Sequence, residues 1–371
     1  MSNSFGKRWV VTTFGESHGR AVGAVVDGCP PRMPLSEADI QSQLDRRRPG
    51  QNRLASARRE PDRVAILSGI DNGFTLGTPI ALEIGNCDVK PGDYADFQAA
   101  PRPSHADWTY RVKYGVQASS GGGRASARET AARVAAGAVA ERFLFLAHGI
   151  EIAAWISSIG AVDAPDLTGN PPARARIDAS PVRCPAPAAA AQMAEIVEKA
   201  REDGDSVGAA ITCACRNAPA GLGEPVFDKL HAMLAQAMLS IPACRGFELG
   251  AGFSAVRMRG SEHNDAFAWK KDRLGTASNR SGGIQGGISN GEDIVFRVAF
   301  KPTPSIAREQ LTADYEGRSA RISIKGRHDP CVGIRAVPVV EAMAALVLAD
   351  AVLLSGLPPA RSFQAASACE K

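Results

Sequence analysis

Aromatic side chains are scarce in this chain of 371 residues: Phe, Trp and Tyr together make up 6%. Single-stranded nucleic acid is gripped by stacking on such rings, so this composition serves that class of partner poorly. An excess of one charge is missing too. Forty-three basic residues face 39 acidic ones, a net charge of +4, far from the clustered basic surface of a nucleic-acid protein. The eight cysteines include no CxxC pair, only the CxC of Cys213 and Cys215, so neither a zinc site nor a disulfide framework is indicated. Six of the eight lie among apolar or small residues and read as buried free thiols of a reducing compartment. HExxH is absent and the six histidines have no metal-ligand spacing. No Walker lysine motif occurs, which leaves a P-loop kinase or ATPase unsupported. A GxGxxA run at Gly250–Ala255 lacks its helix, because Phe253–Gly260 alternates like a strand, and it is rejected as a dinucleotide fingerprint. The most apolar run, Ala336–Leu354, is short for a bilayer and is broken by Glu341 and Asp350. The N-terminus lacks the apolar core of a signal peptide, so the expected location is cytoplasmic, without membrane contact.

Glycine (37) and proline (24) are plentiful and predict many ordered loops. The central stretch is Ser119–His148, a small-residue loop opening into a long helical pattern. Gly121, Gly122 and Gly123 let a ligand approach the backbone, and Arg124, Ser126 and Arg128 set two cations and a hydroxyl at the helix start. Free N–H groups and the helix dipole favour an anion there, so the stretch reads as a phosphate cradle, against the plainer reading of a loop capped by Ser126.

Along the chain, strands are predicted at Trp9–Thr13, Ala21–Asp27, Val64–Leu67, Ile80–Ile84, Ile150–Ile159, Ala209–Cys215, Phe247–Met258, Ile294–Phe300 and Arg321–Lys325. Helices are predicted from Ser36 to Pro49, at Ala188–Arg201, Phe227–Leu239 and Val339–Leu354, with Glu262–Arg280 left as a polar, mobile segment. The interleaving favours an α+β class, read as one catalytic domain over residues 1–358 with a flexible tail at 359–371. Val22–Val26 echoes Val207–Ile211 at half the chain length, the basis for a possible pseudo-two-fold internal repeat.

Seven arginines fall between Arg46 and Arg63, more than a helix end needs. His18, His105 and His328 sit in loops beside Gly, Ser or Asp, where an imidazole is suited to acid–base work, although each alone is more often a turn hydrogen-bonder. Asp329 is either an Asx turn or a carboxylate base. SGGIQGGISNG (Ser281–Gly291) and KPTPSI (Lys301–Ile306) complete a set of loops that fit one polyanionic site better than unrelated turns.

Taken together and in this order, GESHG, LDRRRPG, RPSHAD, GGGRASARET, SGGIQGGIS, KPTPSI and GRHDPCVGIRAVP closely resemble the chorismate synthase family, from Gly6 to about Leu354. The resemblance implies a β-α-β sandwich with helices between antiparallel sheets, assembled as a homotetramer. It implies an anti 1,4-elimination of phosphate from 5-enolpyruvylshikimate 3-phosphate, giving chorismate at the end of the shikimate pathway, with reduced FMN required. By the same resemblance His18 protonates the departing phosphate, His105 donates toward the pyrimidine end of the flavin, and Asp329 assists removal of the ring proton. Arg47 and Arg53 bind substrate anions, positions the family also associates with NADPH, which enters indirectly as reductant. Arg124, Ala125, Ser126, Pro242, Ala243, Gly286, Lys301, Pro302, Thr303, Pro304, Ser305 and Arg327 hold FMN. Ser104 and Ala125 depart from the family's commoner Gly and Ser. With no room for a reductase domain, an external flavin reductase is the expected partner. The alternatives are a phosphotransferase using the glycine loop and a non-catalytic nucleotide- or RNA-binding protein.

Overall fold

The computed structural model describes residues 3–56, 58, 60–88, 100–116, 122–324, 328–360 and 363. Its first half runs β1 (Ser4–Phe5), β2 (Val10–Phe14), β3 (Ala21–Asp27), α1 (Glu37–Arg47), β4 (Val64–Ile66), a small hairpin β5 (Ile70–Asp71) and β6 (Phe74–Thr75), β7 (Ile80–Gly85), α2 (Asp107–Tyr114) and α3 (Thr130–His148). The second half runs β8 (Glu151–Ile159), β9 (Val162–Asp163), α4 (Arg174–Asp178), α5 (Pro187–Glu202), β10 (Ala209–Arg216), α6 (Leu230–Leu239), β11 (Cys244–Leu249) and α7 (Gly260–His263). The hairpins β12 (Phe267–Lys270) with β13 (Arg273–Thr276) and β14 (Ile284–Gln285) with β15 (Ile288–Ser289) follow. Then come β16 (Ile294–Phe300), β17 (Gln310–Ala313), β18 (Ser319–Ile322) and α8 (Gly333–Ser355).

Two five-stranded sheets carry the fold, ordered β1-β2-β3-β7-β4 and β11-β16-β10-β8-β9, with antiparallel neighbours. Numbering the sheet strands of each half in chain order gives 1-2-3-5-4 for the first and, from the β9 edge, 2-1-3-5-4 for the second. Each half places a helix between its third and fourth sheet strands, α1 or α6, and a long helix after its fifth, α3 or α8. The echo at Val22 and Val207 falls on the third, central strand of each sheet, or immediately before it. The halves therefore share their connectivity apart from exchange of the first two strands.

Helix α3 packs on the first sheet, α8 on the second, and the two helices pack on each other, so helices lie between antiparallel sheets in an α+β body. The helix crossing is close at Gly137, where a side-chain carbon would lie 2.6 Å from the Cα of Ala342. Only a residue without a side chain allows that approach. Helix α8 is long and apolar enough to cross a membrane by length and composition, and its apolar surface is buried in the core. Its two carboxylates bind the first half. Asp350 accepts the backbone N–H groups of Lys7, Arg8 and Trp9 at 2.6–3.1 Å. Glu341 pairs with Arg46 and accepts the N–H of Ala154 at 2.9 Å. Burial raises the cost of ionising Glu341, but Arg174 and Arg46 more than offset it and hold the carboxyl below its usual range.

Several sequence-based expectations are corrected. Phe247–Met258 is not one strand: β11 ends at Leu249, and Gly252–Arg257 forms 3-10 turns. Gly250 and Gly252, both at positive φ, turn the chain there. Glu262–Arg280, for which no element was expected, holds the end of α7 and the hairpin β12–β13, with exposed Phe267 and Trp269. The strand near Arg321 lies at Ser319–Ile322 and is paired with β17, which the sequence reading missed. Six cysteines are buried and free, as their surroundings indicated, while Cys87 is exposed.

Candidate functional site

Helix α1 opens on a capping box, in which Ser36 Oγ accepts from the N–H of Asp39 and Asp39 accepts from the N–H of Ser36. Ile40, Leu44 and Arg47 follow on its buried face at helical spacing, so the third of these positions buries a guanidinium. Pro49 forces Arg48 into an extended backbone and ends the helix. Arg47, 1% exposed, donates to Asp62 Oδ2 at 2.6 Å, to Thr130 Oγ1 at 3.2 Å and to the carbonyl of Ala127 at 2.9 Å. The other oxygen of Asp62 pairs with Arg128, which also donates to Asn86 at 2.6 Å and to the carbonyl of Gly85 at 3.0 Å. Asp62 is thus a fully buried carboxylate between two buried arginines. Burial opposes its ionisation, yet the two guanidiniums hold its carboxyl below the usual value.

The central stretch differs from expectation. Before α3 come two 3-10 turns, Gly123–Ala125 and Ala127–Glu129, and Ser126 Oγ accepts from the N–H of Arg128 at 3.3 Å. The two arginines there are already engaged. Arg124 donates to Thr13 Oγ1 at 2.7 Å and the carbonyl of Gly15 at 3.1 Å, and Arg128 is tied to Asp62.

These turns line a cavity of about 490 Å³ that also gathers His18, Arg47, His105, Pro242, Ala243, Lys301, Thr303, Pro304, Ser305 and Asp329. Its walls come from both halves, through the β2–β3 turn, the end of α1, the loop before α2, and the loops after α6, after β16 and before α8. Pro302 lies between two lining residues. Two assigned residues are not brought into this cavity. Arg53 is exposed and lies 3.8 Å from Glu198, and Gly286 sits in the β14–β15 turn. Arg327 and Gly121 lie outside the described residues.

Nine cations line the cavity against the three carboxylates Glu60, Glu129 and Asp329. Most of those cations have a carboxylate partner; among the described residues Arg124, Arg245 and Lys301 have none within an ion pair. Partial burial and the nearby Arg245 lower the pKa of Lys301. Like charges held together without a counter-ion favour an anionic ligand. Lys301 reaches the carbonyl of Ser104 at 3.3 Å, and Ser104 has φ +59°, a left-handed conformation that glycine adopts more readily than serine.

The proton-carrying groups are held by neighbours. His18 Nδ1 lies 2.9 Å from Ser17 Oγ, and Arg58 donates to the carbonyl of Ser17 at 3.3 Å. Asp329 accepts from the N–H of Ser56 at 2.9 Å and from Arg335 at 2.7 Å, while Arg335 also donates to the carbonyl of Arg47 at 3.1 Å. His105 Nδ1 lies 2.8 Å from Asp107 Oδ1. His328 lines the same cavity with its Nε2 buried and without a partner among the described residues, and burial lowers its pKa to about 4. Asp62, Asp107, Arg245 and Arg335 were not singled out from the sequence, whereas Arg58 stood in its arginine cluster. For Asp107 a signal was available, its place two residues after His105 in a loop; Asp62 offers none before the fold is known.

Fold and site together define an α+β protein whose cavity sets proton-carrying side chains among cations. Residues 9–353 match the family described as chorismate synthase. The chain is 56% identical over 350 residues to a chorismate synthase of Opitutus terrae, covering 94% of this chain and 96% of that one. It is also 56% identical over 354 residues to one of Prochlorococcus marinus, covering 95% and 98%. A crystal structure of a chorismate synthase superposes with a TM-score of 0.76 at 34% identity, covering 94% of this chain and 93% of that one. The chain belongs to the chorismate synthase family, lyases of aromatic biosynthesis.

Proposed function

We propose that this chain catalyses the anti 1,4-elimination of phosphate from 5-enolpyruvylshikimate 3-phosphate, giving chorismate, and that it requires reduced FMN. The observation that carries this reading is one cavity in which cations without carboxylate partners, Arg124, Arg245 and Lys301, face three histidines and Asp329. The residues fit a phosphate-bearing flavin: the hydroxyls of Ser126, Thr303 and Ser305 and the ammonium of Lys301 line a volume in the range of small-ligand sites. Arg124, Ala125, Ser126, Pro242, Ala243 and Lys301 through Ser305 hold it. Bound reduced flavin supplies an electron-rich partner for the bond-breaking step.

The chain's own groups do the rest. Arg47, fixed by Asp62, presents a cation of set position to the substrate's anions. His18 gives a proton to the leaving phosphate, its ring steadied through Nδ1 by Ser17. Asp329, oriented by Arg335 and the N–H of Ser56, takes part in removal of the ring proton. His105 donates from Nε2 to the anionic end of the ligand. Residues 1–358 act as one catalytic domain, followed by a tail, in a cytoplasmic, monofunctional enzyme supplied by an external flavin reductase with NADPH as the ultimate reductant. Exposed Phe227, Phe253 and Trp269 support assembly as a homotetramer that covers them.

The test is anaerobic incubation with 5-enolpyruvylshikimate 3-phosphate, with and without reduced FMN, following chorismate absorbance. Formation only in the reduced sample is expected. No chorismate in that sample refutes the reading, and activity with NADPH and oxidised FMN alone refutes the monofunctional part.

A further inference from the structure

His105 does not stand alone in its loop. Asp107, two residues on, opens α2 and is nearly fully buried. Its Oδ1 lies 2.8 Å from His105 Nδ1, and Arg102 braces the same carboxylate from the other side, Nε to Oδ2 at 2.8 Å and Nη2 to Oδ1 at 2.7 Å. The backbone N–H of Arg102 adds a third bond, to Oδ2 at 3.0 Å. Arg102 Nη2 is also 3.0 Å from His105 Nδ1, so two arrangements of the ring compete. A ring nitrogen that donates to Asp107 cannot also accept from Arg102. The choice follows from the carboxylate, which has only acceptors: a bare lone pair on Nδ1 would face an anionic oxygen at 2.8 Å, whereas an N–H there makes a hydrogen bond. The proton therefore sits on Nδ1, and Nε2 carries the lone pair.

We propose that Asp107 is the positioning residue for His105: by accepting the Nδ1 proton it fixes the tautomer and leaves Nε2 as the atom that takes up a proton when an anionic ligand enters the cavity. The proton comes from solvent, an N–H bond forms at Nε2, and the resulting imidazolium lies between two anions, Asp107 on one edge and the ligand on the other. The groups facing the ring are balanced for such a change. Burial disfavours the imidazolium, as do Arg102 and, from the loop after β16, Lys301, while Asp107 favours it. His328, on the loop before α8, faces Arg102, Asp329 and the His105 ring itself. The ring is accordingly neutral in the free protein at neutral pH, and an arriving negative charge tips it. The inference rests on the reading that the cavity binds an anion, and it extends that reading to Asp107, the last residue of RPSHAD, which had been given no role.

The decisive measurement needs neither flavin nor substrate. Long-range proton–nitrogen NMR of the full chain, labelled with 15N-histidine and assigned with His105→Gln, reads the tautomer directly. Protonation at Nδ1 in the free protein is expected, with a shift to the Nε2–H form in Asp107→Asn, whose amide donates to Nδ1 instead. An Nε2–H ring in the native protein, or the same tautomer in both proteins, overturns the proposal. Calorimetry with anaerobically reduced FMN in two buffers of different ionisation enthalpy reads the proton: uptake is expected for the native protein, and its absence overturns the proposal. Turnover of Asp107→Asn is expected to fall about a hundredfold, with its alkaline limb displaced to lower pH. Should the tautomer and uptake behave as stated while no chorismate forms, the role of Asp107 stands and the assigned reaction fails.

Discussion

Asp62→Asn is the sharpest perturbation the fold offers. Asp62 holds φ +48°, a left-handed conformation that Asp and Asn both tolerate, so the replacement leaves the backbone strain unchanged and removes only charge. The charge it removes lies between Arg47 and Arg128, 1% and 3% exposed, which are left without their shared counter-ion. Breaking a buried ion pair from one side costs about 3–5 kcal/mol. Unfolding entropy of ~2.1 cal/mol/K per residue over 371 residues gives ~0.8 kcal/mol/K, so that loss corresponds to a fall in Tm of about 4–6 °C. The pH dependence follows from the same carboxylate. The folded pKa is depressed, so its stabilisation is present above the unfolded value of about 3.9 and is lost as pH falls below it. Native and mutant melting curves, followed by calorimetry at fixed protein concentration, should therefore differ near neutrality and converge in acid. A fall smaller than about 1 °C near neutrality, or a gap that persists unchanged to about pH 3, refutes the assignment of Asp62 as the counter-ion that fixes Arg47.

Two further predictions rest on packing and on burial. Gly137→Leu drives a side chain into the backbone of Ala342 where α3 crosses α8, and overpacking there should destabilise by about 1–3 kcal/mol or more, read as a lower midpoint in urea; an unchanged midpoint would show that the helices separate freely. For His328 the depressed folded pKa of about 4 means that the unfolded chain binds more protons between there and about 6.5. Stability should fall as pH drops through that window, and His328→Asn should flatten the fall; equal slopes in native and variant proteins would remove His328 as its source.

Much of the frame was legible because it follows from local pattern. Ile294–Phe300 and Ala21–Asp27 carry enough β-branched and apolar residues to mark strands to the residue, and the capping box at Ser36 marks the start of α1. Ser319–Ile322 was misplaced because its strand exists only by pairing with β17, a contact the local sequence does not encode. At the site, the glycine loop and its arginines were visible as a cation-rich stretch, but their partners were not. A guanidinium aimed at a phosphate and one aimed at Asp62 read alike until the fold sets a carboxylate beside it. Among the described residues Arg124, Arg245 and Lys301 lack a carboxylate counter-ion, and the last two, one on β11 and one just after β16, are far apart in the chain and gather only where those strands pair in the second sheet.

That gathering explains why the two halves cannot act separately. Some of the site's ties cross between the halves: Asp329 is held by the N–H of Ser56, and the end of α1 by Arg335 through the carbonyl of Arg47 and by Glu341 through Arg46. Asp350, near the far end of α8, ties down the loop between β1 and β2. All four ties originate in α8 or the loop before it, so this helix serves the second half as core and the first as a rail of polar anchors. A run read from sequence as an apolar helix broken by two acids is better understood the other way round: the acids are the fastening points, and the apolar surface brings them to where the first half can use them. The cavity's charge balance therefore depends on docking of the halves, because without α8 Arg46 loses its buried carboxylate and Asp329 is no longer placed against α1.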